Sequence, residues 1–261
     1  MKVVDLDPAY VDEYLVCLED WSPEMKEAGD RKRQWYQRFK DQGLRVKLAV
    51  DDKGTVGGMI QYLPIEKSFA DGEGLYMILC IWVHGYKEGR GDYRKKGMGS
   101  ALIKAAEEDA RALGAKGIAA WGISMPFWMK ASWFKKYGFE VADKNGMIVL
   151  LWKPFAEDAK KPKWIPEAFD VPLAPGKVNV TAFTNGWCPA SNIVYERAKR
   201  ASKEFGDKVN FVEIDTSDKS VVCKCGHSDA FFIDGKQVRT GPPPTYEKIR
   251  KMIEKKAKKI K

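Results

Sequence analysis

Arg94-Lys95-Lys96-Gly97-Met98-Gly99-Ser100 is the segment of this sequence best suited to holding a phosphate. Two glycines one residue apart let the backbone turn tightly and leave no Cβ between consecutive N–H groups and an anion. A helix opening at the turn would add its dipole, roughly half a positive charge at its N-terminus. A second kind of chemistry is carried by thiols: Cys188 in Trp187-Cys188-Pro189-Ala190-Ser191, and Cys223-Lys224-Cys225-Gly226-His227. A thiol at a helix N-terminus is stabilised as the thiolate, which lowers its pKa from ~8.5 and raises its reactivity at neutral pH. Cysteine and histidine are also the ligand types that zinc takes.

Elements able to position the glycine turn are legible on both sides of it. Leu75 to Val83 (LYMILCIWV) is a continuous apolar run of strand length, as expected for a strand buried on both faces. Downstream, Met98, Leu102, Ala105, Ala106 and Leu113 recur at helical spacing, leaving Glu107, Glu108, Asp109 and Arg111 for solvent, and Gly114 ends the segment. A P-loop is excluded because no Gly-Lys-Ser/Thr follows, and a dinucleotide fingerprint because the glycines do not fit G-x-G-x-x-G.

Arg-x-x-Gly-x-Gly between a buried strand and an amphipathic helix resembles the acetyl-CoA motif of the GCN5-related N-acetyltransferases (GNAT). A second block, Ala131-Ser132-Trp133-Phe134-Lys135-Lys136-Tyr137-Gly138-Phe139, resembles that family's later helix running into a Gly-Phe strand start. The likeness covers about residues 1 to 155 and implies an acyl-CoA N-acyltransferase fold, with a mixed sheet whose parallel pair is splayed where the cofactor enters. It further implies that acetyl-CoA is the cofactor, that backbone groups at Trp82 and Val83 hold the pantetheine arm, and that Arg94, Lys95, Lys96, Gly97, Met98, Gly99 and Ser100 hold the pyrophosphate. The stretch His84 to Tyr93 is longer than the usual link between strand and turn, and it could shape a substrate gate.

Acetyl transfer needs a deprotonated amine, a polarised thioester carbonyl and protonation of the leaving thiolate. Many family members place a tyrosine four residues before the Gly of the Gly-Phe pair as the thiolate's acid; here that position is Phe134. Tyr137 is the nearby alternative, turned about 300° away on a helix, where packing against the sheet is the simpler expectation. The strand Leu75 to Val83 holds no carboxylate to act as base, which leaves Tyr76, Cys80, His84 and the preceding Glu73. The usual asparagine after the next strand is replaced by Ser124-Met125-Pro126. Cofactor binding is thus better supported than turnover.

A chain of 261 residues with 44% hydrophobic content can bury two cores. No apolar run reaches the ~18 residues of a membrane span, and MKVVDLDPAY lacks the apolar centre of a secretion signal, so a cytoplasmic protein without membrane attachment is expected. Five cysteines without regular spacing do not form an extracellular disulfide framework. Of the formal net charge of +9, the segment from Lys177 to Lys261 carries 18 Lys/Arg against 10 Asp/Glu. Its tail has Ile249, Met252, Ile253, Ala257 and Ile260 on one helical face, so the lysines read as the solvated side of a docked helix and nucleic acid is not expected as a partner. The partners expected are a small-molecule or peptide amine acceptor and, for assembly, a homodimer.

Along the chain, strand Lys2 to Leu6, helices about Pro8 to Glu19 and Pro23 to Asp41, strands Leu44 to Val50 and Thr55 to Tyr62, strand Gly117 to Ile123, helix Pro126 to Tyr137 and two final strands make a first domain over 1–155. A proline-rich linker over 156–176 follows, with Trp164, Ile165 and Phe169 suited to lying against a domain surface. The region 177–261 then reads as strand Val178 to Phe183, helix Asn192 to Phe205, strand Asn210 to Ile214, an irregular Cys-rich loop, strand Ala230 to Ile233, turn Asp234-Gly235 and a terminal helix. That order is thioredoxin-like.

Cys188 then stands where thioredoxins and glutaredoxins carry their reactive cysteine, with Ser191 in place of a resolving one. The loop holding Cys223, Cys225 and His227 takes the position that usually faces it. Three readings stay open: thiol redox or sensing, a metal site from Cys188, Cys223, Cys225 and His227, or inert buried thiols. Cys17 and Cys80 fall on apolar faces as core residues.

An acetyltransferase domain followed by a thioredoxin-like one resembles the YoaP-type proteins. The expectation is an α/β protein that transfers acetyl from acetyl-CoA to an amine, with Tyr137 and the Cys188 thiol as candidate reactive side chains. In it the smaller domain serves acceptor recognition or redox control. The alternative is a thiol redox or metal-sensing protein whose first domain binds CoA as a regulatory ligand.

Overall fold

The computed structural model describes residues 1–125, 128–168, 170–238 and 242–260. The chain divides into two compact units, one of Met1–Trp21 and Arg38–Ile165, the other of Ser22–Gln37 and Pro166–Lys261. Residues 22–37 therefore group with the C-terminal half, whereas the linear reading kept them in the first domain. The cause is an ion cluster: Arg197, with its side chain only 4% exposed, is held by Glu24 and by both carboxylate oxygens of Glu27.

In chain order the elements are β1 (Lys2–Asp5), α1 (Val11–Leu15), α2 (Pro23–Glu27), α3 (Arg31–Phe39), β2 (Arg45–Val50), β3 (Val56–Pro64), β4 (Ala70–Asp71), β5 (Leu75–Val83), α4 (Met98–Ala112), β6 (Gly117–Ile123), α5 (Ala131–Lys135), β7 (Glu140–Asn145), β8 (Ile148–Pro154) and β9 (Lys163–Trp164). The first unit is built on a seven-stranded sheet, β1-β2-β3-β5-β6-β8-β7. Only β5 and β6 run parallel, so the sheet is mixed. The long helices expected near the N-terminus are broken. Cys17 and Leu18 take positive φ after α1, and Gly29 at φ +61 separates α2 from α3, positions a continuing helix cannot adopt.

α4 packs along the sheet through Met98, Leu102, Ile103, Ala106 and Ala110. Burying each of its larger apolar side chains contributes about 1.5–3 kcal/mol. Leu113, read from the sequence as part of this face, is 50% exposed because the helix stops before it. α5 covers only Ala131–Lys135, shorter than the helix expected from Pro126 to Tyr137. The expected start at Pro126, like Phe169 of the linker, lies outside the described residues. The first part of the proline-rich segment docks as β9 on β4, with Trp164 stacked on Phe69 at 6.1 Å and its backbone N–H donating to Asp143 at 2.9 Å.

In the second unit, β10 (Val178–Thr184), α6 (Pro189–Lys203), β11 (Val209–Asp215), α7 (Lys219–Cys225), β12 (Phe231–Ile233), β13 (Lys236–Gln237) and α8 (Tyr246–Ala257) follow in order. The sheet runs β11-β10-β12-β13, with β10 and β11 parallel and the other pairs antiparallel. Its main core joins Val178, Val180 and Ala182 to Tyr195 and Ala198 of α6 and to Ile249, Ile253 and Ala257 of α8. Asp234 and Gly235, both at positive φ, make the two-residue hairpin that joins β12 to β13.

The expected Cys-rich loop is instead the helix α7. Asp218 caps it by accepting from the Ser220 N–H at 2.8 Å, and Gly226 ends it at φ +72. A Cβ on Gly226 would lie 2.3 Å from the Pro166 carbonyl oxygen, so no other residue fits there. Among the described residues, no helix is long and apolar enough to cross a membrane.

Candidate functional site

The site begins with a defect in β5. Gln61 of β3 pairs with Cys80 while Tyr62 pairs with Ile78, so Leu79 is an extra residue and the strand bulges there. A bulge bends its strand and sharpens the twist. Pairing between β5 and β6 accordingly stops at Ile78↔Ala120, although β6 stays paired with β8 as far as Ile123. The parallel pair is open beyond that point, and the Trp121 indole N–H reaches across to the Leu79 carbonyl at 2.7 Å.

An open cleft of about 350 Å³ lies at the C-terminal end of β5, lined among others by Ile81, Val83, Tyr93, Lys95, Gly97 and Trp133. Its floor is the glycine turn. Lys95 (φ +60) and Gly97 (φ +83) are both left-handed, and Gly97 is the N-cap of α4. Among the described residues no side chain caps this helix, so its first-turn N–H groups are left to a ligand or water. A Cβ on Gly97 would meet nothing within 4 Å, whereas one on Gly99 would lie 3.3 Å from Trp133. Open space at Gly97 and a wall at Gly99 make a cradle with one free side. Among the described residues, none of those lining the cleft is a carboxylate.

The basic residues do not act alike. Arg94 is committed to Asp92, with Nε at 3.0 and 3.1 Å and Nη2 at 2.6 Å from its oxygens, and Asp92 also accepts from the Arg94 N–H. Bonding to Arg94 holds the Asp92 carboxyl well below the usual carboxylate range. The sequence showed the arginine and not that an aspartate two residues earlier would engage it. The Lys96 ammonium sits 4.8 Å from the centre of the Tyr93 ring, whose hydroxyl bonds Asp51 at 2.8 Å.

Phe134 is fully buried against Phe139, so the position where a tyrosine was sought belongs to the core. Tyr137 lies just past α5, and its hydroxyl is 2.6 Å from Ser100 Oγ on the first turn of α4. The structure thus brings Tyr137, Ser100, Gly97 and Gly99 together. Trp133, from the same block of sequence, lines the cleft and packs 4.6 Å from the Tyr137 ring.

The candidate bases fare differently. Glu73 stands before β5, at the end away from the cleft, and pairs with Lys160. Tyr76 is near that same end, 5.7 Å from the Tyr62 ring. Cys80 is buried. His84 is fully buried with both ring nitrogens engaged: Nδ1 lies 2.7 Å from the Gly91 carbonyl, and Nε2 accepts the Trp21 indole N–H at 2.9 Å. An indole nitrogen only donates and a carbonyl only accepts, so this His84 carries its proton on Nδ1 and is a structural pin with no lone pair free for a substrate.

In the second unit, Cys188 is the N-cap of α6 and is 8% exposed. Its N–H bonds Asn185 Oδ1 at 3.2 Å, and Asn192 ties the same turn through Gly186 O at 2.9 Å. Cys223 is exposed on α7. Cys225 is buried, its thiol 3.5 Å from the His227 carbonyl, and burial pushes that thiol's pKa up. His227 packs between Phe183 and Phe232. None of the five cysteines is in a disulfide, and among the described residues no three His, Cys, Asp or Glu side chains gather into a metal-binding group.

A family model described as the acetyltransferase (GNAT) family matches residues 6–139. Among curated proteins, none matches the sequence. Similar solved structures include a GNAT family acetyltransferase from Brucella melitensis in complex with acetyl-CoA, 16% identical with a TM-score of 0.42, covering 61% of this chain and 91% of its own. They also include the GNAT family N-acetyltransferase YhbS from Escherichia coli in complex with CoA (15% identity, TM-score 0.44, 62% of this chain and 88% of that one). A third is the PaiA N-acetyltransferase from Thermoplasma acidophilum in complex with coenzyme A (18% identity, TM-score 0.43, 59% and 100%).

Proposed function

This chain belongs to the acetyltransferase (GNAT) family and is an acyltransferase, and we propose that it moves an acetyl group from acetyl-CoA to the nitrogen of a small-molecule or peptide amine. The observation that carries this reading is the uncapped N-terminus of α4, with Gly97 at φ +83, facing a cleft at the mouth of an opened parallel strand pair. When bound, acetyl-CoA supplies the acyl group as a thioester, an electrophile for a neutral amine.

The residues fit that group. N–H groups of the turn over 97–100 and the side chains of Lys95 and Lys96 hold the diphosphate, with Arg94 available at the edge once it exchanges Asp92 for a phosphate. The backbone of Trp82 and Val83, on the part of β5 without β6 beside it, holds the pantetheine arm. Ile81, Val83 and Trp133 exclude water from it.

Tyr137 Oη is held by Ser100 Oγ on the first turn of α4, at the diphosphate end of the site and a pantetheine length from the thioester, so its role is to brace the cradle and not to protonate the leaving thiolate. Tyr137→Phe is expected to raise KM for acetyl-CoA a few-fold with kcat within about twofold. A loss of kcat of about 100-fold would instead make Tyr137 the general acid. Release of free CoA thiol on mixing the protein with acetyl-CoA and a panel of primary amines tests the activity itself; no release with any amine would contradict it.

The second unit is proposed to be a thioredoxin-like module that recognises the acceptor or sets redox control. This rests on its β10–α6–β11 start, its β12–β13 hairpin and closing α8, and on Cys188 at the N-cap of α6. Cys188→Ser is expected to leave acetylation of small amines within about twofold of wild type while abolishing mixed-disulfide formation with glutathione disulfide at that residue. A tenfold loss of acetylation would place the thiol in the transfer.

A further inference from the structure

Beyond the end of β5 the chain makes a loop, 84–93, that the acetyl-transfer reading does not use. The loop is closed at its neck by the Tyr93 N–H donating to the His84 carbonyl and the His84 N–H donating to the Gly57 carbonyl, both at 2.9 Å. It is fastened to α1 and the segment after it at three places. His84 takes the Trp21 indole N–H; Arg90 bonds the Leu18 carbonyl and pairs with Glu13 at 2.6 Å and Asp20 at 3.0 Å; and Gly89 lies against the face of Trp21, where a Cβ would be 2.1 Å from the ring. A loop held this firmly presents its side chains in fixed positions.

What it presents is aromatic. The Tyr86 ring stands 5.5 Å from Trp21, 5.7 Å from His84 and 6.3 Å from Trp82. Tyr86 is 44% and Trp21 37% exposed, unusual for rings with so many aromatic neighbours. Side chains alternate along a strand, so Trp82 points to the sheet face opposite Ile81 and Val83, the two β5 residues that line the cleft. The wall therefore begins at Trp82, whose backbone is proposed to hold the pantetheine arm, and stands on the sheet face opposite the cleft-lining Ile81 and Val83. The Trp82 indole N–H is buried and has no hydrogen-bond partner among the described residues. Arg90 pairs with two carboxylates, Glu13 and Asp20, so the loop's fastening carries one net negative charge.

We infer that Trp21, Trp82 and Tyr86 form the acceptor-recognition wall of this enzyme and that its acceptor is a primary amine carried on an aromatic ring. This rests on the acetyl-transfer reading for its use, and on the wall itself for its chemistry. Edge and face contacts with the ligand's ring supply the selectivity, while the ring faces tolerate a single ammonium before it loses its proton.

The test is isothermal titration of 2-phenylethylamine and of n-hexylamine into the full-length protein saturated with CoA, with acetyl transfer to both amines followed in parallel. The aromatic amine is expected to bind about tenfold more tightly, a difference the aromatic contacts can supply. Tyr86→Ala is expected to erase that preference and Tyr86→Phe to keep it. Equal affinities, no binding of 2-phenylethylamine, or a preference that survives Tyr86→Ala would overturn the wall. Loss of preference with transfer intact would leave the transferase reading standing, whereas a retained preference without transfer to either amine would support the wall and sink that reading.

Discussion

Gly97→Glu is expected to weaken acetyl-CoA binding by about 100-fold or more while leaving the fold in place. Two costs combine. At φ +83 any L-residue is strained by about 1–2 kcal/mol relative to glycine, which the turn relieves by abandoning the conformation that aims its N–H groups. A carboxylate at the helix N-terminus then competes with the diphosphate for the same N–H groups and the same dipole. Because a Cβ at Gly97 meets no protein atom within 4 Å, the substitution disturbs the ligand's space and not the core. Gly97→Ala separates the terms, and about tenfold weakening is expected from the backbone alone. Titration of acetyl-CoA into the variants measures both, with circular dichroism to confirm folding; affinity unchanged in Gly97→Glu would remove the turn from the site.

Asp109→Asn is expected to carry the largest stability cost in the first unit, about 2–3 kcal/mol, below the full figure for a broken buried pair because the site is partly open. Asp109, on α4, accepts two bonds from Arg45 at 2.8 Å, one from Lys47 at 3.1 Å and one from the Tyr62 hydroxyl at 2.6 Å. It locks the helix that carries the glycine turn to β2 and β3. Burial by itself would raise the pKa of this carboxyl, but the bonds from Arg45, Tyr62 and Lys47 prevail and hold it well below the usual range.

The sign for pH follows from that depression. The contribution is fully present above the unfolded pKa of ~3.9 and is lost as pH falls toward the folded value. The melting temperatures of wild type and variant should therefore differ by roughly 5–10 °C at pH 7 and converge as pH falls below ~4. A gap that stays constant down to pH 2 would contradict this account of Asp109.

Legibility in the sequence followed the range of the interactions. β5 and β6 run over the residues expected because an unbroken apolar run has one solution in a buried parallel pair. The glycine turn was legible because its requirement is local: a left-handed N-cap and room for an anion. What escaped depends on partners far apart in the chain. Residues 22–37 join the second unit through Arg197, and His84 is pinned by Trp21 across 63 residues, neither of which periodicity can display. α7 was missed for a different reason, since its Asp218 cap and Gly226 stop were in the sequence, but the closely spaced cysteines drew a loop reading. Phe134 was read as a missing acid, where the structure shows a core position with no exposure, and Tyr137 reaches the turn from the end of the same helix.

The most direct measurement is a crystal structure of the protein grown with CoA. The account predicts diphosphate oxygens within about 3.2 Å of the backbone nitrogens of Met98, Gly99 and Ser100, with the pantetheine arm in the gap where β5 leaves β6. A diphosphate bound elsewhere, with the turn over 94–100 untouched, would contradict it.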